Sequence, residues 1–184
     1  MRPFQASSKW RSALAYASPN LNELRVMHNA VFGTNFQLSE GLGNDVEKIL
    51  TESLKLGVPL VDHELHTLVI TLGPYGVLLI TSLPEGSCFP TAKHSVPKDR
   101  IRALHYSAPK PGKIVSVSGA GDCFAGGMIG SILKGLHQEV CIRAGQRAAL
   151  LSLHSHLAVP TTICPQTVSG FEESEPIVPT AVLL

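Results

Sequence analysis

Charge is scarce in this sequence, and long apolar runs are absent from it. Only 16% of its 184 residues are charged, and 15 basic residues nearly balance 14 acidic ones, which leaves a formal net charge of +1. Without a basic patch, the chain lacks the electrostatic attraction that draws proteins to nucleic acid. No apolar run reaches the ~18 residues that a membrane-spanning helix needs. We therefore expect neither nucleic acid nor a membrane among its partners.

Cysteine is sparse too, and its spacing excludes a common class of metal site. The four cysteines lie far apart and form no CxxC pair, so a zinc site is not expected. Scattered thiols of this kind suit a reducing compartment.

The N-terminus has no apolar core for a signal peptide, but it is mildly basic and lacks acidic residues as far as Asn22. The cytosol is the expected location, and the mitochondrion stays open.

The pattern of apolar residues predicts one α/β domain. Hydrophobic residues make up 44% of a chain that is long enough to bury a core. Buried strands alternate with amphipathic helices, which is typical of a layered α/β fold. Residues from Pro160 onward are rich in Pro, Thr and Ser and are expected to form a tail. Strands are predicted at residues 13–18, 66–73, 77–83 and 102–106, and helices at residues 21–33, 45–56, 122–135 and 138–154.

The stretch "VSVSGAGDCFAGGMIGSILKG" combines a turn of small residues with an apolar helix. Small residues at 118–121 let the backbone approach a ligand closely, and the helix start offers unpaired N–H groups and a positive dipole end. Such a start suits an anion such as phosphate. Asp122 can cap those N–H groups, or it can accept a proton from an alcohol that attacks a phosphoryl group. The spacing alone leaves both interpretations open and favours a structural turn.

Three further glycines, Gly126, Gly127 and Gly130, lie inside the predicted helix. Each costs roughly 1 kcal/mol relative to alanine in a helix interior. We therefore expect close packing or ligand approach to offset that cost. No lysine follows the glycine-rich turn, so it is not a Walker A loop.

The same stretch resembles the C-terminal signature of the PfkB, or ribokinase-like, carbohydrate kinases, written D-T-x-G-A-G-D-x-F-x-x-G. Two further motifs follow the order of that family. Asn20 and Glu23 in "SPNLNEL" are similar to its N-x-x-E element, and "ITLGPYGVLL" is similar to its T-L-G-x-x-G strand–turn–strand. The resemblance covers about residues 13–167. It implies a ribokinase-like layered sheet flanked by helices.

The resemblance also implies a reaction, in which a sugar or nucleoside hydroxyl attacks the γ-phosphate of ATP. Asp122 would be the general base. The N–H groups of Gly119, Ala120 and Gly121 would form the anion hole for the transferring phosphoryl group. Preorganised donors of this kind suit phosphoryl transfer, which depends on positioning and charge neutralisation.

The resemblance assigns the remaining site residues to ATP and Mg²⁺. Asn20 and Glu23 would organise magnesium, water and phosphate, and Asn20 would also lie near the nucleotide. The other residues that would contact the nucleotide are Thr71, Gly73, Gly76 and Gln146.

Two departures from the family pattern limit these implications. Ser116 stands where many members have an aspartate that helps bind potassium, which puts monovalent-cation activation in doubt. The Gly-Gly sugar signature, the substrate-binding aspartate and the β lid of the family are not found. The chain therefore resembles the C-terminal portion only, with residues 1–168 as a kinase domain without its N-terminal substrate lobe and residues 169–184 as a tail. We expect an exposed sheet edge where further strands would pack.

The segments "SPNLNEL" and "VSVSGAGD" are most similar to the kinase part of eukaryotic pseudouridine-metabolising proteins. This similarity implies pseudouridine as the acceptor. Because the substrate side is missing, catalysis is expected to be weak or absent unless a homodimer partner or the missing N-terminal lobe completes the site. The alternative is a non-catalytic nucleotide-binding fragment or pseudoenzyme. The intact GAGD favours the enzyme, whereas the missing N-terminal signature favours the alternative.

Overall fold

The chain divides into two compact units. The structure is a computed structural model that describes residues 14–39, 41, 43–63, 65–90, 100–169 and 179–184. Among these residues, no helix combines the length and apolarity that crossing a bilayer requires. The first unit, here called the sheet unit, comprises Met1–Pro84, Pro90–Ser107 and Pro179–Leu184. The second, here called the helix unit, comprises Glu85–Phe89 and Ala108–Val178.

The described residues of the sheet unit form five strands and two long helices. In chain order they are β1 Tyr16–Ala17, α1 Leu21–Phe32, α2 Val46–His63, β2 Thr67–Thr71, β3 Val77–Thr81, β4 Arg102–Tyr106 and β5 Thr180–Val182. The strand order is β1–β2–β3–β4–β5. β1 and β2 run parallel, and each later pair is antiparallel. The prediction of an α/β layered sheet is confirmed.

The centre of the sheet follows the predicted apolar runs. β2 and β3 form the predicted hairpin, and the predicted short strand at 102–106 is β4. Val69 pairs with Leu79, which in turn pairs with Leu104. Every residue of β3 is buried, and so are the first four residues of β2. Leu56 and Leu60 of α2 are fully buried in the same hydrophobic cluster, so α2 covers the hairpin.

The second helix departs from its prediction at the C-terminal end. The sequence predicts an end at Leu56, but α2 continues through Gly57 and Pro59 to His63. A Cβ at Gly57 would lie 2.6 Å from Cδ1 of Ile80, so glycine lets the helix approach the sheet here. Burial of the side chains that follow, Leu60 and Val61, offsets the ~3 kcal/mol that proline costs inside a helix.

The C-terminal residues also differ from their prediction. The sequence assigns them to a tail, but Thr180–Val182 form β5 and pair antiparallel with β4. A short helix, α5, spans Pro165–Ser169. β5 has only three residues, and two of them are exposed, so it lacks the apolar run that marks a strand in a sequence.

The helix unit is built on two packed helices, α3 at Ala120–Ile132 and α4 at Gln138–Leu153. Both are predicted, although α3 begins two residues before Asp122. A Cβ at Gly127 would lie 2.7 Å from the carbonyl oxygen of Ala144, and one at Gly145 would lie 2.8 Å from the ring of Phe124. These two glycines therefore let the helices approach closely. A Cβ at Gly126 or Gly130 would meet nothing within 4 Å.

The adjacent glycines Gly126 and Gly127 are expected to respond oppositely to alanine. Gly127→Ala forces a methyl group against the backbone of α4 and should destabilise the chain by about 1–3 kcal/mol. Gly126→Ala meets open space and should stabilise it by up to about 1 kcal/mol through helix propensity. Urea unfolding followed by circular dichroism measures both changes. Equal shifts for the two variants would contradict the helix contact.

Candidate active site

Asn20 and Glu23 form a reciprocal cap at the start of α1. The side-chain oxygen of Asn20 accepts a hydrogen bond from the N–H of Glu23 at 3.0 Å, and the carboxylate of Glu23 accepts one from the N–H of Asn20 at 2.9 Å. This capping box satisfies N–H groups that a helix start otherwise leaves unpaired. The N-x-x-E element therefore has a structural role in addition to the one that the resemblance implies.

An open cavity of about 580 Å³ lies beside this cap, within the sheet unit. It brings together three of the predicted site residues, Asn20, Glu23 and Thr71. The N–H of Thr71 donates to the carbonyl of Pro19 at 2.9 Å, and Asn20 forms a parallel bridge with Thr71. The end of β2 thus fixes Thr71 next to the helix start. The remaining lining residues are Leu21, Asn22, Gly43, Ile49, Leu72 and Tyr75.

The two glycines of the T-L-G-x-x-G motif shape the turn that follows β2. Gly73 has φ +59° and Gly76 has φ +95°, values that side chains other than glycine rarely adopt. The turn is a single 3₁₀ turn at Gly73–Tyr75, closed by a hydrogen bond from the N–H of Leu72 to the carbonyl of Gly76 at 2.8 Å. These glycines hold the turn that carries Tyr75 to the cavity.

Tyr75 is a lining residue that the sequence analysis did not single out. Its hydroxyl donates to the side-chain oxygen of Asn44 at 2.9 Å, which ties the turn to the link before α2. Tyr75 occupies one of the two variable positions of the T-L-G-x-x-G motif. The motif pattern therefore does not specify a tyrosine there, and only the position within the motif suggests that this residue lies near the site. Asn44 lies 31 residues away in the sequence, so no local pattern indicates the contact.

The donor atoms at this cavity fit a magnesium ion. Glu23 is the one charged residue among those that line it. One carboxylate oxygen of Glu23 caps α1, and the other has no hydrogen-bond partner among the described residues. Mg²⁺ usually keeps several waters and binds through one or two carboxylates plus substrate phosphates. The described residues contain no cluster of three or more His, Cys, Asp or Glu that could hold a metal by themselves.

The GAGD turn opens α3 in the helix unit. Gly119 precedes the helix with φ +79°, in the left-handed region. Among the described residues, the N–H groups of Gly119, Gly121 and Asp122 have no acceptor. The N–H of Ala120 lies 3.5 Å from the carbonyl of Val117, at the limit of a hydrogen bond. Two of the three amides assigned to an anion hole, those of Gly119 and Gly121, are therefore available to a ligand.

The Asp122 side chain is exposed in the first turn of α3. Its carboxylate forms no hydrogen bond with another described residue, so it does not cap the helix start. The structural interpretation of this residue as a cap is therefore wrong. The carboxylate is accessible to an incoming hydroxyl.

The carbonyl of Ala158 packs against Gly119 of the GAGD turn. It accepts hydrogen bonds from the hydroxyl of Ser152 at 3.1 Å and from the thiol of Cys123 at 3.3 Å. A Cβ at Gly119 would lie 2.6 Å from the carbonyl carbon of Ala158 and closer still to its oxygen. Only glycine therefore fits at position 119. Cys123 is buried, as expected of a thiol with a structural role.

Gln146 lies on α4, in the same unit as the GAGD turn. Its side chain is 5% exposed, so it belongs to the buried face of the helix. The structure does not test its role near the nucleotide, and that role stays a prediction. The other predicted site residues fall into two groups, with Asn20, Glu23, Thr71, Gly73 and Gly76 in the sheet unit and Gly119, Ala120, Gly121 and Asp122 in the helix unit.

Comparison with known proteins defines the class of this chain. Residues 3–163 match the pfkB family of carbohydrate kinases, and the chain belongs to this family. It is similar to the pseudouridine kinase of Arabidopsis thaliana, with 25% identity over 185 aligned positions. That alignment covers 85% of this chain and 48% of the relative, so the chain spans about half the length of that relative.

A second curated relative matches over a shorter stretch. The adenosine kinase of Schizophyllum commune is 33% identical over 60 residues, which cover 33% of this chain and 17% of the relative. The short match leaves most of both chains unaligned.

Solved structures show the same fold at low identity. Ribokinase of Thermotoga maritima superposes with a TM-score of 0.54 at 20% identity, covering 92% of this chain and 46% of that one. Ribokinase of Arabidopsis thaliana, solved with ribose and ATP, superposes with a TM-score of 0.55 at 19% identity, covering 84% of this chain and 40% of that one. The fold is therefore ribokinase-like.

Proposed function

We propose that this chain takes part in ATP-dependent phosphoryl transfer to a hydroxyl group of a sugar or nucleoside. One observation carries the proposal. In a member of the pfkB family, the GAGD turn presents N–H groups without an acceptor among the described residues, next to an exposed carboxylate. These are the two chemical elements that the reaction needs, an anion site and a base.

The N–H groups at the start of α3 act on the transferring phosphoryl group. Gly119, Ala120 and Gly121 supply preorganised donors at the positive end of the helix dipole. The donors need no reorganisation as negative charge develops, because the Ala158 carbonyl network fixes the turn.

Asp122 accepts the proton of the attacking hydroxyl. Its carboxylate has no competing hydrogen bond among the described residues, so a substrate hydroxyl can bind it directly. A base that is positioned against the hydroxyl increases the nucleophilicity of the oxygen as the bond to phosphorus forms.

The residues around the sheet-unit cavity bind the metal and phosphate portion of the donor. Magnesium, when bound, neutralises phosphate charge. Glu23, with one carboxylate oxygen uncommitted among the described residues, and Asn20 would hold it together with water. Thr71 offers a hydroxyl beside Asn20, and the turn of Gly73 and Gly76 lets a nucleotide approach the backbone.

The acceptor that we propose is a nucleoside of the pseudouridine type. The 25% identity to the pseudouridine kinase of Arabidopsis thaliana, over 85% of this chain, supports this choice over a simple sugar. That alignment covers 48% of the relative. The activity of this chain therefore also depends on acceptor contacts from residues outside the aligned portion. A second copy of the chain or a separate N-terminal lobe would supply them.

An ADP-forming assay with a panel of acceptors tests the proposal. Purified chain with ATP and Mg²⁺ is expected to phosphorylate pseudouridine faster than adenosine, ribose or fructose. Faster turnover of ribose or fructose would contradict the nucleoside assignment. A chain that turns over none of the four acceptors would contradict catalysis by this chain alone.

The second candidate function is binding of a nucleotide without catalysis. The observation that favours it is the 48% coverage of the pseudouridine kinase relative. Isothermal titration calorimetry with ATP and Mg²⁺ separates the two candidates. Binding of ATP by a chain that is inactive with every acceptor would favour the second.

Glu23→Gln is expected to separate the metal role of this residue from its capping role. Glutamine also completes a capping box, so the free energy of unfolding should stay within about 0.5 kcal/mol of the parent. Loss of the negative charge should weaken apparent Mg²⁺ affinity in the ATP-binding measurement by roughly 10- to 100-fold. Asn20→Ala removes the cap and should cost about 1 kcal/mol of stability, which gives the scale of a capping loss against which Glu23→Gln is compared. Unchanged Mg²⁺ dependence in Glu23→Gln would contradict the metal assignment.

A further inference from the structure

A short segment of the helix unit, residues 85–89, is joined to the start of α4 by backbone contacts. Cys88 forms an isolated antiparallel bridge with His137, the residue that precedes α4. Beside it, the N–H of Gln138 donates to the carbonyl of Ser87 at 3.0 Å. These contacts fix the position of Cys88 against the first turn of α4.

The contacts bring two thiols to the same stretch of backbone. The thiol of Cys88 donates to the carbonyl of Gly135 at 3.1 Å, and that of Cys141 donates to the carbonyl of the next residue, Leu136, at 3.4 Å. Bridged residues have Cα atoms about 4.5–5.5 Å apart. Cys141 follows His137 by four helical residues, a rise of about 6 Å. The two steps together keep the Cα atoms of Cys88 and Cys141 within at most about 12 Å of each other.

The two thiols differ in exposure. Cys88 is exposed, whereas Cys141 is fully buried. Burial first, and the negative charge of a Cys88 thiolate second, raise the pKa of Cys141 to about 12. At neutral pH, Cys141 is therefore a thiol, and the accessible Cys88 is the sulfur that reacts first with an oxidant.

We propose that Cys88 and Cys141 are a reversible disulfide pair that a small-molecule disulfide such as oxidised glutathione closes. The Cys88 thiolate attacks one sulfur of the glutathione disulfide, forms a mixed disulfide and releases one glutathione thiolate. The sulfur of Cys141 then attacks the sulfur of Cys88, its proton passes to the leaving thiolate, and the second glutathione departs. Two protein thiols are oxidised, and one glutathione disulfide is reduced to two thiols.

The second step becomes easier once the first has occurred. In the mixed disulfide, Cys88 carries no negative charge, so one of the two causes of the raised pKa of Cys141 is removed. A disulfide requires Cα atoms about 4.4–6.8 Å apart. The bridge to His137 keeps Cys88 beside the start of α4, so closing the disulfide requires residues 85–89 to shift toward Cys141, and the exposure of Cys88 leaves room for its side chain to rotate.

Tryptic mapping without reductant tests the pair, because each cysteine lies in its own tryptic peptide. Cleavage after Lys and Arg puts Cys88 in residues 56–93, Cys123 in 114–134, Cys141 in 135–143 and Cys164 in 148–184. Folded chain is treated with oxidised glutathione, its free thiols are alkylated, and the digest is analysed by mass spectrometry. We expect a linked peptide of 56–93 with 135–143, in the monomer fraction, that disappears after dithiothreitol.

Cysteine variants and an internal control complete the experiment. Cys88→Ser should abolish the linked peptide, and Cys164→Ser should leave it at the parental level. Cys164 reports that the reagent is active, because hydrogen bonds from Thr167, whose hydroxyl lies 3.5 Å from the Cys164 sulfur, lower the pKa of this thiol and it should acquire glutathione. Glutathione retained on Cys88 with residues 135–143 unmodified would overturn the proposal, as would a linked peptide found only in covalent dimers.

Discussion

Asp122→Asn is expected to lower the rate of phosphoryl transfer by about two to four orders of magnitude, the range that a general base contributes. Asparagine has the same size as aspartate but cannot accept a proton from the substrate. The carboxylate is exposed and forms no hydrogen bond with another described residue, so the fold should change little. We expect at most about 1 kcal/mol, from the lost interaction with the helix dipole. The measurement is the ADP-forming assay with the acceptor that the parent uses best.

Glu139→Gln is the matched control for this variant. Glu139 lies in the first turn of α4, so the change removes the same charge from an equivalent position in the same unit. It should keep the parental rate. Circular dichroism and ATP titration of both variants show whether folding and donor binding are intact. A parental rate in Asp122→Asn would exclude this residue as the base.

Gly119→Ala is expected to destabilise the helix unit by roughly 2–5 kcal/mol. About 1–2 kcal/mol comes from a side chain at positive φ, and about 1–3 kcal/mol from overpacking. The added methyl group would meet the Ala158 carbonyl, which hydrogen bonds from Ser152 and Cys123 hold in place. Because both donors fix the carbonyl, it cannot move away cheaply. Urea unfolding followed by circular dichroism measures the loss.

Gly121→Ala is the control in the same turn. A Cβ at Gly121 would meet nothing within 4 Å, and its φ is not in the left-handed region. Stability should therefore stay within about 1 kcal/mol of the parent. If both alanine variants unfolded at the same urea concentration, the contact between Gly119 and Ala158 would not limit this position.

The elements that the sequence predicts well are those whose own residues carry the signal. The hairpin of β2 and β3 consists of two apolar runs around a glycine-containing turn, and α1 ends at Gly33, whose φ of +64° suits glycine. β4 appears at the predicted residues. In each case, burial or backbone conformation follows from neighbours in the sequence.

Elements that depend on distant residues are predicted less well. Gly57 and Pro59 indicate a helix end locally, but the close approach of α2 to Ile80 and the burial of Leu60 and Val61 extend the helix past both. The three residues of β5 carry no pattern of their own, and they form a strand because the edge of β4 pairs with them.

The candidate site likewise contains residues that local sequence motifs identify and residues that only tertiary contacts bring to it. The motifs identify Asn20, Glu23 and Thr71, and the structure places them around one cavity. The capping box explains Asn20 and Glu23 structurally, and its pattern was visible in the sequence as an Asn followed three residues later by a Glu. The contact of Tyr75 with Asn44 depends on tertiary structure and could not be predicted.

Several predictions remain without a structural test. The role of Gln146, the limit of the kinase domain at residue 168 and a cytosolic location stay predictions, and so does the doubt that Ser116 raises about monovalent-cation activation.

The position of β5 in the sequence has a consequence for biosynthesis. The ribosome makes β4 first, then Ala108–Val178, the larger part of the helix unit, and only afterwards the residues of β5. Throughout that interval, the edge of β4 that later holds β5 has no strand from its own nascent chain to pair with. Pairing across such a sequence distance is slow. The time that translation needs to pass through the helix unit therefore sets how long this edge stays open to chaperones or to other chains.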